Sequence, residues 1–344
     1  MRVAIDAMGG DDAPSVNVDG AIDALKAQKD LEVILVGVEP VVRKLLESRK
    51  YKGSRITIHH APDVVKMDDP PSLAVRRKKD SSMRKAFDLV REGKADAVMS
   101  AGNSGAMMGM ALFLLGRAEG VDRPAFAALM PSYNKPFLLL DAGANVDCNP
   151  ENIIQFALMG NAYSRLVVGV ENPRVALLSI GEEQMKGNVL IKESTKILSS
   201  LGINFQGNVE PKDAYMGEAD VIVCDGFVGN IFLKTSEGLA EFVMRLLKRE
   251  MGRSMVAKMG YLFMRSVLKS VKKETAYEEY GGAPLLGIKG AVLVCHGRST
   301  PKAIMNAIRI VSEFASKNVH EAVSKDIRKL VEKRGDKEST VAAS

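Results

Sequence analysis

Residues 95–112 read "ADAVMSAGNSGAMMGMAL". An acidic residue and a short apolar run lead into a turn of glycine, asparagine and serine, then into helix formers. The pattern is a strand that ends in a bare loop and feeds a helix. Residues 219–234, "ADVIVCDGFVGNIFLK", repeat the same grammar. A loop of this kind exposes backbone N–H groups and the positive end of a helix dipole, which suits an anionic ligand.

Outward from these two units, short apolar runs recur along the chain. "VAIDA" (3–7), "LEVILVG" (31–37), "ITIHHA" (56–61), "FLLLDAG" (137–143), "VALLSIG" (175–181) and "AVLVCHG" (291–297) join the two already quoted. Continuous runs rich in β-branched residues fit strands buried on both faces of a parallel sheet. Segments such as "SVNVDGAIDALKAQ" (15–28) and "SSMRKAFDLVREG" (81–93) carry apolar residues at helical spacing between them. The alternation predicts an α/β fold with a doubly wound, mostly parallel sheet. Residues 1–330 are expected as one domain, with 331–344 as a flexible polar tail. Residues 236–273 show no strand signal and read as a helical hairpin broken near Gly252–Arg253.

Composition narrows the function. The chain has 344 residues, 46% hydrophobic and 26% charged, which is ordinary globular material. There is no tryptophan and aromatics make up 5%, so stacking platforms for nucleic acid are not expected. Cys148, Cys224 and Cys295 are far apart and form no CxxC pair, which argues against zinc knuckles and disulfide frameworks. The histidines show no metal spacing, so no metal is expected. The longest near-apolar run, Ala106 to Gly116, falls short of the ~20 residues that a membrane span needs. A cytoplasmic setting is expected. Net charge is +6, yet Arg245 to Lys273 hold nine basic residues and one acid, a local +8; the remainder sums to 6 − 8 = −2. One basic patch points to one anionic partner surface.

Six strand ends carry small or polar turns: Met8–Asp12, Gly102–Gly105, Ala142–Asn145, Gly181–Asn188, Gly226–Asn230 and His296–Thr300. Ligands of open parallel sheets sit outside the carboxyl ends of the strands, so these loops are expected to converge on one rim. No G-x-G and no P-loop sequence occurs, so the pocket is not a dinucleotide or nucleoside triphosphate site of those types.

The text of these loops then becomes specific. "AIDAMGGDDAP" (4–14), "KKDSSMRKAFDLVREGKADAVMSAGNSGAM" (78–107), "LLLDAGANVDCNPENIIQFALMG" (138–160), "IGEEQMKGN" (180–188), "GNVEPKDAYMGEADVIVCDGFVGNIFLKTSEG" (207–238) and "YGGAPLLGIKGAVLVCHG" (280–297) resemble the motifs of the bacterial phosphate acyltransferases, in order, over about residues 3–310. The resemblance implies a fold similar to the isocitrate/isopropylmalate dehydrogenase group and to phosphate acetyltransferases. It implies transfer of a long-chain acyl group from the thioester of acyl carrier protein to inorganic phosphate, without a cofactor. A homodimer, peripheral association with an anionic membrane surface, and a downstream glycerol-3-phosphate acyltransferase come with it.

Within that reading Lys186 is expected to hold phosphate or developing charge, and Asn230 to donate to the thioester oxygen. Lys186 as a solvated loop lysine and Asn230 as a helix cap are the alternatives. His296 shuttles a proton or only hydrogen-bonds. The phosphate cradle is expected from Gly102, Asn103, Ser104 and Gly105, with Ser81 and Ser82 as donors or plain caps, and with Asn145 and Gly229 nearby. In the second basic helix Met255, Met259, Leu262 and Phe263 form an apolar stripe, suited to a membrane, an acidic carrier protein, or the core. A phosphate acetyltransferase-like enzyme using acyl-CoA and a non-enzymatic membrane-surface binding module are the competing functions.

Overall fold

The computed structural model describes residues 1–253, 255–275 and 281–342; the side chains of 255–257, 262, 272–275 and 331–342 lie outside the described set. In chain order the first half runs β1 (Arg2–Asp6), α1 (Ser15–Ala27), β2 (Glu32–Gly37), α2 (Glu39–Ser48), β3 (Ile56–His60), α3 (Pro71–Arg77), α4 (Ser82–Arg91), β4 (Ala97–Ser100) and α5 (Ser104–Leu114). Next come β5 (Ala125–Met130), β6 (Phe137–Leu140), α6 (Pro150–Tyr163), β7 (Val175–Leu178), α7 (Val189–Leu198), β8 (Phe205–Val209), α8 (Pro211–Ala214), β9 (Val221–Val223), α9 (Gly226–Met251) and α10 (Met255–Thr275). The chain closes with β10 (Ala283–Leu286), β11 (Ala291–Val294), α11 (Pro301–Ser316) and α12 (Val319–Ala342), so the segment expected as a tail continues the last helix.

The strands form one sheet in the order β3-β2-β1-β4-β11-β10-β5-β6-β9-β7-β8. All eight runs read as strands from the sequence are strands. Their residues alternate between two cores because strand side chains alternate in direction. Val3 and Ile5 of β1 face one core and Ala4 the other; Val221 and Val223 of β9 face one and Ile222 the other. The first core is closed by α1, α2, α6, α7, α11 and α12, through residues such as Val18, Val42, Ile153, Ile191, Ile304 and Val323. The second is closed by α3, α4, α5, α8 and α9, through Ala74, Phe87, Met107, Ala214 and Phe232. Helices therefore cover both faces, as a sheet with two apolar faces requires.

One expectation fails. The ladders β11–β10, β10–β5 and β5–β6 are antiparallel, and the others are parallel. Three reversals leave the β6-β9-β7-β8 half running opposite to the β3-β2-β1-β4-β11 half. The loops after β1, β4 and β11 open on one rim, here called upper. Those after β6, β7 and β9 open on the lower rim. The six loops cannot converge on one rim within a chain.

The two quoted units take equivalent places in these halves. Asp96, just before β4, accepts the N–H of Arg2 at 2.6 Å and returns its own N–H to the Arg2 carbonyl at 2.8 Å. Asp220, just before β9, accepts the N–H of Arg174 at 2.8 Å and returns its own at 2.9 Å. Each arginine also reaches a glycine carbonyl three residues before its aspartate, Gly93 at 3.1 Å and Gly217 at 2.9 Å. The pair β1/β4 is thus clamped as β7/β9 is. In both pairs one strand feeds a helix on the first core (α1, α7) and the other a helix on the second (α5, α9). The chain divides between the two faces at each pair, and a crevice opens at such a switch point.

Candidate active site

The lower crevice lies between the loop after β7, which carries Lys186, and the start of α9, which carries Asn230. Its walls are held from beneath. The buried Asp141 carboxylate accepts N–H groups from Phe126 (3.1 Å), Gly143 (3.1 Å), Ala144 (2.9 Å) and Asn145 (2.7 Å). Burial pushes its pKa up, against the pull of these donors. Asn145 gives its side-chain amide to Asp141 and to the Pro124 carbonyl, each at 2.8 Å. It is 7% exposed and shapes the loop; its amide is not free for phosphate.

Gly229 is buried one turn into α9, against the Asp141 carbonyl, and serves close packing. Asp225, not Asn230, caps α9, accepting the Val228 N–H at 2.9 Å. Asn230 is exposed and borders Gly143, and its side chain makes no hydrogen bond among the described residues. Lys186 is exposed and pairs with no described acid; its loop is pinned by Asn208, whose amide donates to the Glu183 carbonyl at 3.0 Å. Asn208 acts on backbone 25 residues away, and Asp141 ties the Phe126 N–H to its own turn, so the sequence gives no sign of either as a support.

The upper crevice holds the other expected residues. Asn103 caps α5 by accepting the Ala106 N–H at 2.9 Å, and its amide clamps the carbonyls of Lys66, Met67 and Asp69. Ser81 caps α4 and donates to the Lys78 carbonyl at 2.8 Å. Both are structural. Gly102 is buried, Gly105 half-buried, and Ser104 exposed with a hydroxyl that bonds nothing described. Asp6 lies under this crevice, accepting Ser100 Oγ at 2.7 Å; burial raises its pKa. Ser82 Oγ is buried facing the same carboxylate, without reaching hydrogen-bond geometry. His296 is half-buried here, and its Nδ1 accepts the Arg298 N–H at 3.1 Å. Burial and then the Lys234 charge lower its pKa, so the ring is neutral at pH 7. The structure thus brings Lys186, Asn230, Gly229 and Asn145 to one rim and separates them from Gly102–Gly105, Ser81, Ser82 and His296.

Burial holds the cysteine thiols in the protonated form. Burial pushes Cys148 up to about 11 and Cys295 up to about 12, and raises Cys224 as well. Glu182, Asp213 and Glu218 bring ligand atoms within 4.8 Å of one another, but Lys212 already sits 2.7 Å from Asp213 and answers their charge. Along α9 and α10 the side chains of Phe242, Met259, Phe263 and Val267 are exposed, Phe263 at 84%. Those of Met255 and Leu262 lie outside the described residues. No helix among the described residues is long and apolar enough to cross a membrane.

The fold is shared with solved structures. A phosphotransacetylase from Streptococcus pyogenes matches with a TM-score of 0.63 at 18% identity, covering 92% of this chain and 94% of that one. A branched-chain phosphotransacylase from Enterococcus faecalis V583 matches at 0.56 and 16%, covering 92% and 100%. In sequence, residues 1–322 match the family model described as "Fatty acid synthesis protein". The phosphate acyltransferase of Thermodesulfovibrio yellowstonii is 49% identical over 341 residues, 99% of this chain and 98% of that protein. That of Geobacter sulfurreducens is 51% identical over 324 residues, 94% and 93% of the two. With likeness of this extent over nearly its whole length, the chain belongs to the phosphate acyltransferase family and is an acyltransferase enzyme.

Proposed function

We propose that this enzyme moves a long-chain acyl group from the thioester of acyl carrier protein to inorganic phosphate, and that it does so at the lower crevice. One observation carries the placement. Of the polar side chains singled out in the lower-rim loops, Asn145 is engaged in holding the fold, whereas Lys186 and Asn230 are exposed and uncommitted in the segments that follow the neighbouring strands β7 and β9.

The chemistry asks little more than positioning. A phosphoryl group has a second pKa of ~6 and inorganic phosphate one about a unit higher, so near pH 7 a large share of it is dianion and already nucleophilic. Lys186 holds it, with the Phe227 amide in the first turn of α9 as a further donor, since the Gly226 and Val228 amides already go to Asn145 and Asp225. An oxygen of the dianion attacks the thioester carbonyl carbon. Asn230 donates to the oxygen on which charge develops, an interaction worth about 2.7–4 kcal/mol at comparable sites. The C–S bond then breaks, the thiolate leaves on the carrier arm, and acyl phosphate is released. No enzyme-bound acyl intermediate is needed, in keeping with cysteines that stay protonated.

The same reading has the enzyme working in the cytoplasm as a homodimer, with the exposed apolar and basic faces of α9 and α10 resting on an anionic membrane. There it hands its product to a glycerol-3-phosphate acyltransferase. A fold kinship with the isocitrate/isopropylmalate dehydrogenases belongs to this reading too. Incubation with phosphate and either palmitoyl-carrier protein or acetyl-CoA, with hydroxylamine to trap acyl phosphate, tests it. Palmitoyl hydroxamate from the carrier substrate is expected. Product from acetyl-CoA alone would make this a short-chain coenzyme A enzyme instead.

A further inference from the structure

The loop after β6 serves more than Asn230. At its start, a β-carbon on the exposed Gly143 would lie 3.3 Å from the Asn230 Cβ and Cγ, so the loop borders the lower crevice. From residue 144 to 147 it lines an adjoining cavity of about 540 Å³, shared with Met108 and Leu112 of α5 and with residues 122–124 before β5. Sites for small organic ligands run from roughly 300 to 1,000 Å³. The transfer step itself leaves this space unused.

The walls of the cavity are fixed. Asn145 gives its amide to the Pro124 carbonyl at 2.8 Å and Arg123 Nη1 donates to the Asp147 carbonyl at 3.0 Å, so the segments before β5 and after β6 are tied to each other. Arg117 Nη1 donates to the Asp122 carbonyl. Each guanidinium is anchored through Nη1 alone, and its other N–H groups bond nothing described. Both arginines therefore stand as preorganised donors on the lining. Met108, Leu112 and Val146 add apolar surface, with Val146 61% exposed. This mixture selects among ligands. Asp122 and Asp147 offset the two arginines, so no excess positive charge awaits a small dianion. A bare hydrocarbon would strip water from the guanidiniums and replace none of its hydrogen bonds. A chain of methylenes interrupted by amides meets both kinds of surface.

We infer that this cavity receives the pantetheine arm on which the acyl thioester is carried, with Arg117 and Arg123 donating to its amide oxygens and Met108, Leu112 and Val146 packing its methylenes. The inference rests on the lower crevice being the place of acyl transfer. Gly143 and Val146 are three residues apart, so their Cα atoms are separated by at most about 11 Å. An arm with two amides and a hydroxyl along its length spans that distance, which puts its sulfur beside Asn230 while its amides lie in the cavity. Acyl carrier protein and coenzyme A bear the same arm, so the ligand class is an acyl-pantetheine from either source.

Steady-state kinetics of the full chain, with pantetheine as the bare-arm probe, test the placement. Pantetheine should compete with the palmitoyl thioester and not with phosphate. Val146→Trp fills the cavity from an exposed position, so the fold is kept. Arg117→Gln is the second variant and removes donors without adding bulk. Each should raise the thioester KM and the pantetheine inhibition constant by roughly tenfold, the scale of one lost hydrogen bond to a charged group, and leave the KM for phosphate unchanged. Palmitoyl-carrier protein and palmitoyl-coenzyme A separate the sources. A rise with both places the arm itself in the cavity, and the substrate with the lower wild-type KM is the source it serves. A rise with the carrier substrate alone would assign the effect to the carrier's protein body and overturn the inference. So would a penalty that vanishes when octanoyl replaces palmitoyl on the same arm, since the cavity would then hold the acyl chain. Wild-type KM values and undiminished pantetheine inhibition in both variants overturn it too. If Lys186→Ala and Asn230→Ala are impaired in that case, only the place of the arm is lost. If those two also work normally, acyl transfer itself lies outside the lower crevice.

Discussion

Gly229 stands so close to Asp141 that a β-carbon on it would lie 1.9 Å from the Asp141 carbonyl oxygen. The contact seats the first turn of α9 on the end of β6, and with it Asn230 and the wall of the lower crevice.

Gly229→Ala therefore forces backbone apart, since neither partner is a flexible side-chain tip. The expected loss is on the order of 3 kcal/mol or more, in the range of severe overpacking. Urea unfolding of the variant against wild type measures it. A loss below about 1 kcal/mol would mean that α9 can shift without consequence.

Asp6 and its burial predict a pH effect of definite sign. Its folded pKa is raised above the ordinary 3.8, chiefly by desolvation. The folded state then binds the proton more tightly than the unfolded one, so stability from this group is fully present below 3.8 and is lost as pH rises through the folded pKa. The stability difference between wild type and Asp6→Asn should grow in favour of wild type as pH falls from 7 toward 4. Urea midpoints of both proteins at several pH values give the slope. A flat difference would remove Asp6 from the acid side of the stability curve.

Lys186→Ala and Asn230→Ala should separate catalysis from folding. Neither side chain has a partner among the described residues, so stability should change by no more than ~0.5 kcal/mol. Turnover should fall by about 10²–10³ for Asn230→Ala, the usual effect of losing an oxyanion donor. Lys186→Ala should mainly raise the KM for phosphate. Asn145→Ala is the contrast: two buried acceptors lose a donor, so stability should drop by roughly 2 kcal/mol, with activity following the fold. Equal stability and unchanged turnover in all three would move the reaction elsewhere.

The alternation of strand and helix was legible because long β-branched runs such as "LEVILVG" have no other comfortable place. The strands that went unread were β5, β8 and β10: "AFAALM", "FQGNV" and "APLL" are rich in alanine, glycine and proline and carry little strand preference. Two of those three make the antiparallel ladders that reverse the second half of the sheet. Missing β5 and β10 therefore produced the single rim. The site residues were recognisable by type. Which of them were already engaged was not, because Asn103, Ser81 and Asn145 satisfy backbone groups whose positions only the fold fixes.

The remaining prediction concerns the outer helices. Phe263 is 84% exposed on α10, and Met259 one turn before it is 59% exposed, with Lys258 and Arg265 on the same helix. Burial of one phenylalanine in an apolar medium is worth about 1.5–3 kcal/mol, or roughly tenfold and more in a partition coefficient. Phe263→Glu adds repulsion from anionic headgroups to that loss. The variant should cosediment with phosphatidylglycerol vesicles at least about tenfold more weakly than wild type, while thioester turnover in vesicle-free solution stays near normal because the substitution is remote from the lower crevice. Equal vesicle binding by the two proteins would assign the exposed stripe to a contact with another protein surface, and loss of soluble turnover would mean that α10 supports the crevice directly.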